Sequence, residues 1–69
     1  MIDITVNGDK QSVNSTNITD LLKELSVKMP DMVSVQHNDA MLDRQAFDST
    51  VISKGDTIEF LYFMGGGQL

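Results

Sequence analysis

Residues 2–25 read IDITVNGDKQSVNSTNITDLLKEL, and two signals from which the fold follows lie inside this stretch. Ile2, Ile4 and Val6 alternate with Asp3 and Thr5, a period of two that aims one strand face at a core and the other at water. Asn7-Gly8 ends the run, and a second short stretch closes at Val13. Glycine accepts a positive φ freely and asparagine tolerates it better than most residues, so the pattern predicts a hairpin. Ile18, Leu21, Leu22 and Leu25 then change the period, falling at i, i+3, i+4 and i+7. Such spacing gathers four apolar side chains onto one side of a helix, and that stripe needs a sheet to cover. Asn17 is the expected N-cap, with Asp20 near the positive end of the helix dipole. Helix should fade across 26–28, because the ring of Pro30 disfavours a helical conformation at Met29.

Working outward, MVSVQ (32–36) alternates Val33 and Val35 with Ser34 and Gln36 and predicts a third strand, closed by Asn38-Asp39. A short strand is expected around Met41 and Leu42, an irregular or single-turn helical piece near 44–48, and a turn at Lys54-Gly55-Asp56. TIEFLYFM (57–64) is the last strand, with Ile58, Phe60 and Tyr62 on one face and Glu59, Leu61 and Phe63 on the other. Hairpin, helix and two or three further strands predict an α+β fold of the β-grasp (ubiquitin-like) type. Its mixed sheet has four to five strands, with one helix packed across one face. First and last strands are expected side by side and parallel, joined by the long crossover. Residues 1–64 would form this single domain, and 65–69 a flexible glycine tail leaving the end of a central strand.

Composition narrows the chemistry. In 69 residues there is room for one small domain. Ten acidic against five basic residues give a net charge of −5, a sign that repels phosphate backbones and anionic lipid, so neither nucleic acid nor membrane is an expected partner. No run approaches the roughly 18 apolar residues of a membrane span, and the first ten residues lack a basic region followed by an apolar one, so a cytoplasmic location is expected. Cysteine is absent, which removes disulfides, thiolate nucleophiles and cysteine metal sites. One histidine, His37, cannot build a metal site alone and reads as an exposed turn residue before Asn38-Asp39. No catalytic residue and no metal ligand is assigned, because no base, nucleophile or ligand cluster is visible.

FMGGGQL (63–69) carries the functional signal. Leu61 and Phe63, on the face the helix leaves uncovered, read as a docking patch for a partner; ordinary scattered exposure is the competing reading. A phosphate-cradling loop requires a helix after the glycines, and none follows. Two readings stay open for Gly65, Gly66 and Gly67: a loose end, or a thread whose missing Cβ atoms let it lie extended in a narrow channel.

ITVNG, NITDLLKEL, VSVQHND and RQAFDSTVISKGDTIEFLYFMGGG, in this order and spacing, resemble the thiamine-type sulfur carrier proteins (ThiS), small ubiquitin-like β-grasp proteins. The likeness covers nearly the whole length, and its final block is the most specific. It departs from the family in having Phe47 where a tryptophan is usual and Asp43 where a proline is frequent, differences of packing. A larger departure is that family members usually finish at glycine, whereas Gly67 is followed by Gln68 and Leu69.

The resemblance implies a carrier whose terminal glycine, here Gly67, is adenylated by a ThiF-like adenylyltransferase using ATP. The product is converted to a thiocarboxylate that donates sulfur to thiazole synthase. Gly65 and Gly66 would be the thread, and Leu61, Phe63 and Glu59 the partner interface, Glu59 steering encounter with basic groups. No cofactor would be bound by the carrier itself, and it would be a cosubstrate, not an enzyme. While Gly67 is joined to Gln68 its carbonyl is an amide, so Gln68 and Leu69 are expected to be removed by a tail-trimming metalloprotease. Two alternatives stand beside this one: a carrier delivering sulfur to homocysteine, cysteine or another metabolite, and, in a different class, a ubiquitin-like protein modifier or plain interaction module.

Overall fold

A computed structural model describes residues 1–62. The chain runs β1 (Ile2–Val6), β2 (Asp9–Val13), α1 (Ile18–Glu24), β3 (Val33–His37), β4 (Ala40–Leu42), a single 3-10 turn (Arg44–Ala46) and β5 (Thr57–Tyr62). Five strands form one mixed sheet in the order β2-β1-β5-β3-β4. β1 and β5 are parallel, through Thr5↔Thr57 and Val6↔Ile58, and the other pairs are antiparallel. This is the expected β-grasp, with the last strand at the centre.

Both tight hairpins close as their sequences demand. Asn7 and Gly8 have φ of 50° and 87°, and Asn38 and Asp39 have 53° and 70°. Two successive positive values suit the right-handed twist of the strands they join. In α1, Asn17 is the N-cap, its Oδ1 accepting the Asp20 N–H at 2.8 Å. The helix ends through two bonds, Ser26 N–H to the Lys23 carbonyl and Val27 N–H to the Leu22 carbonyl, with Ser26 at φ 53°. This is a Schellman stop with serine in the position that usually holds glycine.

The core forms between α1 and one face of the sheet. Ile4, Val6 and Val13 from the first hairpin, Ile18, Leu21 and Leu22 from α1, Val33 and Val35 from β3, Ile58 from β5, and Phe47 and Ile52 from the connecting segment are all buried. Phe47 fills the expected aromatic position, with the Arg44 guanidinium 5.1 Å above its ring. That guanidinium also donates to the carbonyls of Pro30 (2.9 Å) and Val33 (2.6 Å), so Arg44 ties the 3-10 turn to the strand entering the sheet. Across the molecule, Glu24 accepts from the Asn14 and Ser15 N–H groups and from the Ser15 hydroxyl, joining the helix end to the end of β2.

His37 departs from its expected place. It is the last residue of β3 and half-buried, and its Nε2 lies 2.8 Å from Asp56 Oδ2. The alternation of β3 carries it toward the Ile58 side of the sheet, and Asp56 lies too far away in sequence for a local turn pattern to reveal.

Candidate functional site

β5 builds the site. Because side chains alternate along a strand, Ile58, Phe60 and Tyr62 point toward the helix side. Glu59 and Leu61 point to the open side, both half-buried. In register, Glu59 stands opposite Gln36 and Leu61 opposite Ser34. Among the residues assigned to the site, Glu59 and Leu61 are therefore brought together on one open sheet face. Phe63, Gly65, Gly66, Gly67, Gln68 and Leu69 lie outside the described residues.

Chain continuity makes Tyr62 the root of the tail. The pairing of β5 with β1 stops at Val6↔Ile58, whereas its pairing with β3 continues to Val33↔Tyr62. Beyond the end of β1, Asn7 takes over as a brace: its N–H donates to the Ile58 carbonyl, and its Oδ1 accepts the Phe60 N–H at 2.9 Å. At the tip, the Tyr62 hydroxyl donates to the Lys28 carbonyl at 2.7 Å. Sequence reasoning gave Asn7 only its turn and Tyr62 only its face. Both bonds cross long sequence separations and have no local signature.

Electrostatically, the described residues hold one histidine–carboxylate contact, His37 Nε2 to Asp56 Oδ2, at the end of the sheet where β5 begins. Partial burial raises the affinity of Asp56 for its proton. The hydrogen bonds from His37, the Ser53 N–H and Asn38 outweigh this and hold the carboxyl below its ordinary range. Glu24 is also lowered, first by the Ser15 hydroxyl and then by the Asn14 N–H. Neither group lies on the face of Glu59 and Leu61. Both are structural clasps.

A cavity of about 640 Å³ opens on the helix side, with Leu22, Val27, Pro30 and Phe47 beside Lys23 and Arg44. Its two cations do not converge on a free target, since Arg44 is committed to backbone carbonyls. Among the described residues, no three His, Cys, Asp or Glu side chains are grouped to hold a metal, and no helix is long and apolar enough to cross a membrane. What the arrangement offers is a central strand paired on both sides, from whose last residue, Tyr62, the chain runs on. That suits presentation of a segment to another protein.

Comparison with known proteins adds the family. The ThiS family model matches residues 4–67. A thiazole synthase from Magnetococcus marinus is 33% identical over 66 residues, covering 94% of this chain and 20% of that protein. The chain thus spans about a fifth of the length of that relative. The crystal structure of a thiamine biosynthesis protein (ThiS) from Geobacter metallireducens superposes with a TM-score of 0.88 at 45% identity, over 96% of this chain and 100% of that one. An NMR solution structure of a thiamine biosynthesis protein from Geobacter metallireducens gives 0.74 at 45% identity, over 99% and 91%.

Proposed function

The chain belongs to the ThiS family, small sulfur carriers of thiamine biosynthesis, and we propose that it carries sulfur on Gly67 as a cytoplasmic protein cosubstrate. The observation that carries this reading is the reach of the family match, which runs from residue 4 and ends on Gly67. Gln68 and Leu69 follow it.

The chemistry begins with hydrolysis of the Gly67–Gln68 peptide bond by a trimming metalloprotease. The new carboxylate, with an ordinary pKa of about 3.5, is ionised at neutral pH. A ThiF-like enzyme lets one carboxylate oxygen attack the α-phosphorus of ATP, and pyrophosphate leaves. A sulfide-level nucleophile then attacks the acyl carbonyl, AMP departs and a thiocarboxylate remains. The carrier supplies no acid, base or cofactor to these steps. It supplies position: Gly65 and Gly66 thread a channel without Cβ atoms, while Leu61, Phe63 and Glu59 meet the partner's surface. Thiazole synthase is the acceptor, a choice supported by the relative of that name whose sequence contains a stretch matching 94% of this chain.

Intact mass spectrometry of the protein from its native cell tests the reading. The expected result is loss of Gln68 and Leu69 with a mass gain equal to replacement of one oxygen by sulfur. Conjugates to lysines of other proteins would instead assign a modifier role. An untouched Leu69 in cells making thiazole would overturn the carrier reading. A trimmed carrier whose sulfur passes to homocysteine or cysteine, and not to thiazole, would overturn the choice of acceptor alone.

A further inference from the structure

We propose that Met29 and Met32 form an apolar collar beside the root of the tail, a second docking element that fits the mouth of the activating enzyme's channel. This rests on the carrier reading above. Both side chains are open to solvent, Met29 at 61% and Met32 at 64% exposure, and Tyr62 beside them is 42% exposed. Two contacts fix their place. The Tyr62 hydroxyl holds the Lys28 carbonyl, one residue before Met29, and Val33, one residue after Met32, is the register partner of Tyr62.

The loop between them is not slack. The Met32 N–H donates to the Met29 carbonyl at 2.8 Å, and Arg44 holds the carbonyls of Pro30 and Val33. Met29 sits at φ 52°, a conformation that side chains other than glycine adopt at a cost. A stiff loop that presents two unbranched thioethers to water suits contact with an irregular apolar surface, the role for which methionine is well adapted.

Reach limits the occupant to a protein that works on Gly67, and the activating enzyme is the first to do so in the reading above. Gly67 is five residues beyond Tyr62, and five residues span at most about 17–18 Å when fully extended. An enzyme that holds the Gly67 carbonyl in its active site must therefore bring its own surface to within that distance of Tyr62, a residue that the two methionines flank. Leu61 would secure the open sheet face, and the collar would secure the side on which the loop flanks Tyr62.

The test is ATP–pyrophosphate exchange by the ThiF-like activating enzyme, with the 1–67 form of the chain as varied substrate. Met29→Gln with Met32→Gln keeps length and flexibility but loses apolar character. It should raise KM about tenfold with kcat unchanged. Val51→Gln is the control, since Val51 is 68% exposed and bridges Asn17 at the opposite end of the helix; its KM should equal wild type. An unchanged KM in the double variant, with robust exchange by wild type, overturns the collar and leaves the carrier reading intact. No exchange with the wild-type 1–67 form overturns both.

Discussion

Ser26 shows how much a single backbone angle decides. It occupies the position after the cap of α1 at φ 53°, where the Schellman bonds of Ser26 and Val27 stop the helix. A Cβ in this region crowds the following carbonyl, and glycine avoids that crowding. Ser26→Gly should stabilise the fold by about 0.5–1 kcal/mol, after allowance for glycine's larger unfolded-state entropy. In a domain of this size that raises Tm by about 2–8 °C. A fall in Tm would mean that the serine hydroxyl makes a contribution larger than the strain. At this scale the sequence was readable wherever the constraint was local. Asn7-Gly8 and Asn38-Asp39 name their own turns, and Asn17 names its cap. The Ser26 stop was only approximately legible, because serine is not the residue that the turn prefers. His37 was misread because its partner Asp56 is 19 residues away.

Elements in a domain this small depend on one another more than on their own propensities. α1 has seven residues, too few to persist alone in water, so its cap and its apolar stripe must both hold. Asn17→Ala should cost about 1 kcal/mol through the orphaned Asp20 N–H. Leu21→Ala should cost about 3 kcal/mol, because Leu21 is fully buried and the site cannot collapse freely. Urea unfolding with a constant m-value checks both, and equal losses would contradict the packing described here. The 3.6-residue stripe made the helix legible in advance, and alternation did the same for β1, β3 and β5. β5 also leans on Asn7, whose Oδ1 accepts the Phe60 N–H. Asn7→Gly keeps the positive φ the turn requires but removes this brace, so it should cost about 1 kcal/mol. Hydrogen exchange at the Phe60 amide should quicken while the Ile4 amide stays protected. Uniform quickening would assign the loss to the turn instead. No pattern in β5 or in the hairpin announces this bond, because it joins residues 53 apart.

For the whole molecule, the excess of acidic over basic residues, net −5, would suggest that acidification relieves repulsion and stabilises the fold. Two clasps argue the opposite. Glu24 holds the end of β2 to the end of α1 through Ser15 and Asn14, and Asp56 gathers His37, Asn38 and the Ser53 N–H where β5 begins. Both carboxyls lie below their ordinary values of 4.5 and 3.8 in the folded chain. A carboxyl with a lowered folded-state pKa binds its proton more readily when unfolded, so its contribution is fully present above the unfolded value. That contribution is lost as pH falls through the folded one. Stability should therefore decline as pH falls below the ordinary values of the two groups. Glu24→Gln and Asp56→Asn should each lower stability at pH 7 and flatten part of the acid decline, and the double variant should flatten it further, since the clasps sit in separate parts of the fold. Thermal unfolding of the four proteins between pH 7 and pH 3 measures this directly. A wild-type Tm that rises on acidification would show that relief of the net charge outweighs both clasps.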